Sequence, residues 1–337
     1  MNEQGTEPQL ERLVDLPKAE VHVHLEGTFA PAQLERWAIE AGVPMPRPRE
    51  ALLAFGGLSD FLEFLDWACG LASTSERLAQ LARAFCERLA ADGTGHADLI
   101  FNPTHWRAWR GRLREMLDAL DAGFREAEQD GLPTVGLCVS LLRTQSEAEA
   151  VELVERLTAW RHPRVVALSV DGNEATAGRT GPRFADAFRI AGAAGLRRTV
   201  HAGESSGPEG VRDAVELLAA DRIDHGVRAI EDQSVVELLA ARRIPLGICP
   251  SSNLALKVYR SMDVHPVEAL RRAGVLVSLN TDDPSLLQTT LPREYALCRA
   301  QFGWDDEVVR RVAETSITAS FAPAEVKTRL LAELRRW

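Results

Sequence analysis

The residues most able to do chemistry stand near the start of the chain, at His22-Val23-His24. Histidines at i and i+2 on a strand point to the same face. One such histidine is ordinarily a core residue with a polar partner. Two on one buried face each need a partner, and a shared divalent cation would serve both. Later segments supply more groups of this kind: His201 in TVHAGE, His225 in RIDHG and Asp282-Asp283 in LNTDDP. Each follows an apolar run of strand length, so four strand ends would deliver imidazoles or carboxylates to one rim. Three histidines and one aspartate suit Zn²⁺ with a position left open for water. Singly, each has a plainer explanation, since Asp-Asp-Pro is also turn sequence and HAG-like segments also open helices. Their joint placement favours the metal.

Positioning these groups requires strands that alternate with helices. Apolar runs occupy 20–24, 97–101, 134–141, 164–170, 197–201, 221–224, 244–249 and 275–280. Helical periodicity fills 110–130, 145–160, 182–194, 208–219, 231–241 and 265–273. The alternation implies parallel βαβ units, and eight strands predict an α/β fold, a (β/α)8 TIM-like barrel. Active sites of such barrels form at the C-terminal ends of the strands, where the candidate ligands fall. Helical patterns over 31–92 and 292–335 predict extra helices after the first strand and at the C-terminus. Residues 1–337 are expected to form one domain, with 31–92 as an insertion near the site face.

Composition narrows the function class. The 39 basic and 49 acidic residues give a formal net charge of −10. That balance argues against a nucleic-acid partner, whose affinity is mostly basic-patch electrostatics. No apolar run approaches the roughly 18–20 residues of a membrane span. The opening MNEQGTEPQLERLV is polar and lacks a signal-peptide core, so a cytoplasmic protein is expected. Cys69, Cys86, Cys138, Cys249 and Cys298 form no CxxC pair and are expected to be buried thiols. Only three lysines occur, Lys18, Lys257 and Lys327, against 36 arginines. Two-metal barrel hydrolases commonly bridge their ions with a modified lysine at the fourth strand. Here that strand end reads SVDGNEA, which favours one metal per chain.

The ordered motifs LPKAEVHVHLEG, FLEFLD, VDGNE, TVHAGE, RIDHGVRAIED, CPSSN and SLNTDDP span most of the chain. Together they resemble the adenosine/adenine deaminase family of metal-dependent hydrolases. The resemblance implies one Zn²⁺ held by His22, His24, His201 and Asp282, activating water for attack on C6 of a 6-aminopurine. It implies Glu204 as the proton shuttle to ring N1 and His225 as the group that orients the attacking oxygen. Asp282 would also accept a hydrogen bond from that oxygen. Asp283 would bind N7, and Gly172 would offer its backbone N–H to N3. Leu58, Phe61 and Leu62 would form an apolar wall.

Glu26 stands where adenosine-specific relatives carry an aspartate at the ribose end. The HLEGT form is similar to adenine deaminases, whereas NTDDPSLLQTTL is similar to the nucleoside-directed branch. Adenosine is the first expectation; the alternative is adenine or a derivative such as aminodeoxyfutalosine. His105, Trp106 and Trp109 in FNPTHWRAWR stand between substrate contact and helix packing, with packing favoured for Trp109. Outside this class, a phosphoesterase would call for Arg and Lys clustered beside the site, but HAGE, DHG and TDDP are acidic or neutral. A non-catalytic barrel would lack a ligand or the acid, and none is missing. A cytidine-deaminase type of zinc site needs a PCxxC pair, which is absent.

Overall fold

The computed structural model describes residues 7–56 and 58–337; the side chains of residues 7, 8, 58, 59 and 62 lie outside the described set. Eight parallel strands hydrogen-bond in chain order: β1 (Lys18–His24), β2 (Thr94–Phe101), β3 (Thr134–Leu142), β4 (Val165–Asp171), β5 (Arg197–Ala202), β6 (Arg222–His225), β7 (Leu246–Ile248) and β8 (Val277–Leu279). The α/β barrel expected from the alternating pattern is present. Even the short DRID run forms a strand, displaced by one residue to Arg222–His225.

Closure between β8 and β1 is the irregular part. Val23 bridges to Asp282 beyond the end of β8, with His24 N–H donating to Asp282 O (2.8 Å). Below that bridge a side chain replaces the ladder: Asn280 Oδ1 accepts from Val21 N (2.7 Å) and His22 N (3.1 Å). The register of β1 on β2 shifts between Glu20 and Val23. The seam therefore brings His22, His24 and Asp282 to one height by an isolated backbone bridge, with the Asn280 side chain in place of a continuous ladder below it.

Helices Pro31–Ala41, Leu58–Leu71 and Ser75–Ala91 form the insertion after β1. They share a core with the loop after β2, where Trp37, Phe64, Phe85, Trp106 and Trp109 are all buried. Both loop tryptophans are thus packing residues, and Trp109 Nε1 donates to Ala72 O (2.9 Å). The tail helices Leu291–Phe302, Asp306–Ala319 and Ala324–Leu334 complete the C-terminus. Ser316 Oγ accepts from Ala19 N (3.1 Å), which ties the tail to the start of β1. The lower barrel interior is charged rather than apolar: fully buried Arg222 donates from Nη1 to Asp98 Oδ2 (2.7 Å) and from Nε to Asp224 Oδ1 (3.3 Å). Its guanidinium lies 4.3 Å from the Phe321 ring centroid. Charges this deep persist only when paired and hydrogen-bonded. All five cysteines are free and buried. Among the described residues no helix is long and apolar enough to cross a membrane.

Candidate functional site

At the C-terminal mouth of the barrel, several lone pairs converge. His22 Nδ1–H donates to Gly247 O (2.8 Å), which leaves the lone pair on its Nε2. That Nε2 lies 3.0 Å from His201 Nε2, and His24 Nε2 lies 2.9 Å from the same atom. Asp282 Oδ1 stands 3.4 Å from both His22 Nε2 and His24 Nε2. Ligand atoms arranged tetrahedrally ~2.05 Å from one ion are separated by about 3.3 Å. Four of the six separations, at 2.9–3.4 Å, lie near that value, so His22, His24, His201 and Asp282 could hold one cation between them.

Electrostatics point the same way. Against the cost of burial, Asp224 and Asp282 raise His22 to about 9. Burial and then His22, His24 and His225 drive His201 well below its ordinary value. Despite burial, His22 and its neighbours hold Asp282 well below the usual carboxylate range. The cluster demands positive charge at its centre. A divalent cation meets that demand with every ring neutral.

His225 also lies close, since it, His22, His201 and Asp282 each offer a ligand atom within 4.8 Å of the others. Its hydrogen bonds, however, assign it another task. Val267 N–H donates to His265 Nδ1 (3.3 Å), and His265 Nε2–H donates to Asn253 Oδ1 (3.1 Å). Asn253 Nδ2 then donates to His225 Nδ1 (3.3 Å). This chain leaves the proton of a neutral His225 on Nε2. Burial and His22 keep the ring neutral, with its pKa down at about 3. Nε2–H therefore acts as a donor, 3.5 Å from Glu204 Oε1 and 3.7 Å from Asp282 Oδ2. The second oxygen of Asp282 also accepts from Ser252 Oγ (2.6 Å).

Two further carboxyls hold protons near neutrality. Burial first, then Asp282 and Glu174, pushes Glu204 up to about 8. Burial and the adjacent Asp282 push Asp283 well above the carboxylate range. Asp283 packs so tightly on Gly27 that a Cβ there would lie 2.4 Å from the Asp283 Cα, which explains the glycine of HLEG. Gly172 takes φ +97°, a conformation L side chains rarely adopt. Its carbonyl is fixed by Arg143 Nε (2.9 Å).

One cavity of about 910 Å³ is lined by His24, Glu26, Gly172, His201, Glu204, His225, Asp282 and Asp283, whereas His22 is fully buried and is not among its lining residues. Phe61 lines it from the insertion, as expected of an apolar wall. Leu58 and Leu62 belong to the same helix, but their side chains lie outside the described residues. Glu26 is buried, and its Oε1 accepts from Asn102 N (2.8 Å) and Trp106 Nε1 (2.7 Å). Its Oε2 has no hydrogen-bond partner among the described residues. His105 reaches the cavity with Nδ1 3.0 Å from Asp66 Oδ1. Of the lysines, Lys257 lines the cavity, but from the loop after β7 and not from β4.

Asn253, His265, Ser252, Arg143 and Glu174 were not singled out by sequence reasoning. CPSSN, VDGNE and Arg143 beside β3 carry one signal, a polar residue just beyond a strand end; His265 of DVHP carries none, since helix Pro250–Ala255 separates it from β7.

A family model described as adenosine deaminase matches residues 17–337. An adenine deaminase of Agrobacterium fabrum is 35% identical over 325 residues, covering 95% of this chain and 98% of that relative. The crystal structure of an adenine deaminase from Arthrobacter aurescens is similar with TM-score 0.89 at 29% identity, covering 96% of this chain and 99% of that one. An amidohydrolase of Burkholderia ambifaria with bound zinc is similar with TM-score 0.89 at 26% identity, covering 99% and 93%.

The geometry separates His24 from His225. His24→Asn is expected to lose its metal on gel filtration, whereas His225→Asn keeps one ion per chain by elemental analysis. Loss from the His225 variant with retention in the His24 variant would exchange the two assignments.

Proposed function

The chain belongs to the adenosine deaminase family and is a hydrolase of carbon–nitrogen bonds, and from that premise we propose that it converts free adenine to hypoxanthine and ammonia. The named relatives favour adenine over adenosine, the reverse of the order expected from sequence motifs alone. The single observation that carries the choice is Glu26. Its Oε1 is occupied by two donors, while Oε2 is buried without a partner among the described residues, in a side chain that lines the cavity. A buried carboxylate oxygen left unpaired is costly, and a substrate N–H would satisfy it. Adenine carries such a donor at N9. In adenosine that nitrogen bears the ribose and has no hydrogen.

The remaining groups fit a purine placed with N9 towards Glu26. Gly172 N–H would donate to N3, and protonated Asp283 to N7. Protonated Glu204 would deliver its proton to N1, which makes C6 electrophilic. His22, His24, His201 and Asp282 would hold a single Zn²⁺, which when bound supplies an activated water at neutral pH. His225 Nε2–H, fixed as a donor through Asn253, would orient the attacking oxygen and stabilise the charge that develops on it. Water adds to C6 first, giving one proton to the Glu204 carboxylate left after protonation of N1. The C6–N bond then breaks as that proton passes to the amine, which leaves as ammonia, and the second water proton restores the Glu204 acid as C6=O forms.

Ammonia release is expected to be faster from adenine than from adenosine, deoxyadenosine or aminodeoxyfutalosine, and hypoxanthine is expected to form faster from adenine than from N6-methyladenine, whose leaving group is methylamine. A kcat/KM for adenosine above that for adenine would overturn the substrate assignment. In Glu26→Gln, the Asn102 and Trp106 donors would retain the amide oxygen and turn the amide N–H₂ towards N9–H. The kcat/KM for adenine should then fall roughly 10–100-fold, the equivalent of a charge-assisted hydrogen bond.

Glu204→Gln should keep its metal and lose several orders of magnitude in kcat. In the unsubstituted protein kcat should decline above about pH 8, as Glu204 gives up the proton it must donate. Near-normal turnover of the Gln variant would show that another group is the acid.

A further inference from the structure

Two buried side chains with no part in the proposed chemistry clamp the end of β5. Glu174, in the VDGNE segment after β4, accepts from four consecutive backbone N–H groups. Gly203 N lies 3.0 Å from Oε1, while Glu204 N (2.9 Å), Ser205 N (3.3 Å) and Ser206 N (3.3 Å) share Oε2. Arg143, one residue beyond β3, donates from Nε to Gly172 O (2.9 Å), from Nη1 to Thr180 Oγ1 (2.7 Å) and from Nη2 to His201 O. Its Nη2 also stands 3.8 Å from Glu174 Oε1. Both side chains are about 95% buried or more, with 3% and 5% of their surface exposed.

The clamp sits where the sheet stops doing this job. β4 pairs with β5 at Ala167–Arg197 and Leu168–Arg198, and Ser169–Asp171 extend beyond that paired stretch. The backbone groups past it need other partners, because an unpaired buried amide costs about 1–3 kcal/mol. Close packing does not supply the support either. A second cavity of about 240 Å³ lies against this loop, lined by Glu174, Ser206 and Gly210 among others. Hydrogen bonds to a charged acceptor are the strong kind, and here one carboxylate gathers four donors.

We propose that Glu174 is a positioning residue for Glu204. By gathering the amides of residues 203–206 it fixes the backbone from which the acid reaches N1. Arg143 extends the same unit to the carbonyls of His201 and Gly172, so ligand, acid and N3 donor are held as one rigid body. The inference rests on Glu204 being the acid of the proposed reaction.

Glu174→Gln tests it, because it keeps the shape but turns an N–H₂ group towards N–H donors. For adenine, kcat is expected to fall about 100-fold while KM changes less than about threefold, as when a reacting group is displaced by ~1 Å. Metal content should stay at one ion per chain. In a Glu204→Gln background the same substitution should cost less than about twofold, because the group it positions is already gone. Equal losses in both backgrounds, loss of the metal, or a raised KM with kcat retained would overturn the proposal.

Hydrogen exchange on the unsubstituted protein reads the clamp without any variant or activity. The amides of 203–206 should be protected to the level of β5, and exchange at the rate of an exposed loop would overturn the proposal even if Glu174→Gln failed to fold. Near-normal turnover of Glu204→Gln combined with protected amides would instead locate the failure in the acid assignment.

Discussion

Three imidazole nitrogens and a carboxylate oxygen aimed at one point inside a barrel cannot coexist comfortably without positive charge between them. Separations of 2.9–3.4 Å among these atoms call for a proton or a cation between them. Water is largely excluded, since His22, His201 and Asp282 are all buried. Much of the surrounding architecture serves to hold this arrangement against its own repulsion. Asn280 replaces the missing ladder beneath His22, the Val23–Asp282 bridge locks the seam, and Gly247 O fixes the His22 tautomer.

Strain collects at the same place. His225 and Asp282 both adopt φ +65°, a left-handed conformation uncommon for residues with a Cβ. Each costs on the order of 1–3 kcal/mol and persists only where neighbours over-determine it. For His225 the neighbours are the Asn253–His265 chain; for Asp282 they are Ser252, the backbone of β1 and the imidazoles. The price of that strain is set against a fixed division of labour. One oxygen of Asp282 faces His22 and His24, and the other faces Ser252 and His225. Asp282 and Asp283, adjacent in sequence, are driven in opposite directions, one to carboxylate and one to carboxylic acid.

The barrel was legible because its strands are apolar runs separated by periodic helices, and because histidines and aspartates stand at the strand ends. Both signals are local. What the sequence hid is the set of partners that orient those groups. The His225 tautomer depends on Asn253 and His265, 28 and 40 positions away and on a different connection of the barrel. The Glu204 backbone depends on Glu174, 30 positions earlier. No spacing rule links such pairs, since they meet only after eight strands have closed. Glu26 shows the same limit. As a glutamate in place of aspartate it marked the far end of the substrate, but the two donors on one oxygen and the free second oxygen emerge only in three dimensions. They favour the free base over the nucleoside that the motifs had placed first. β4 ends in Asp171 and offers no bridging amine, the same fact that the lysine count expresses.

Anomalous scattering at the zinc edge, from crystals grown with zinc, tests the central claim most directly. One peak per chain is predicted, within bonding distance of Nε2 of His22, His24 and His201 and of Asp282 Oδ1, with His225 Nε2 outside the coordination shell. Two peaks in the cavity, or one peak bound by His225 in place of His24, would contradict it.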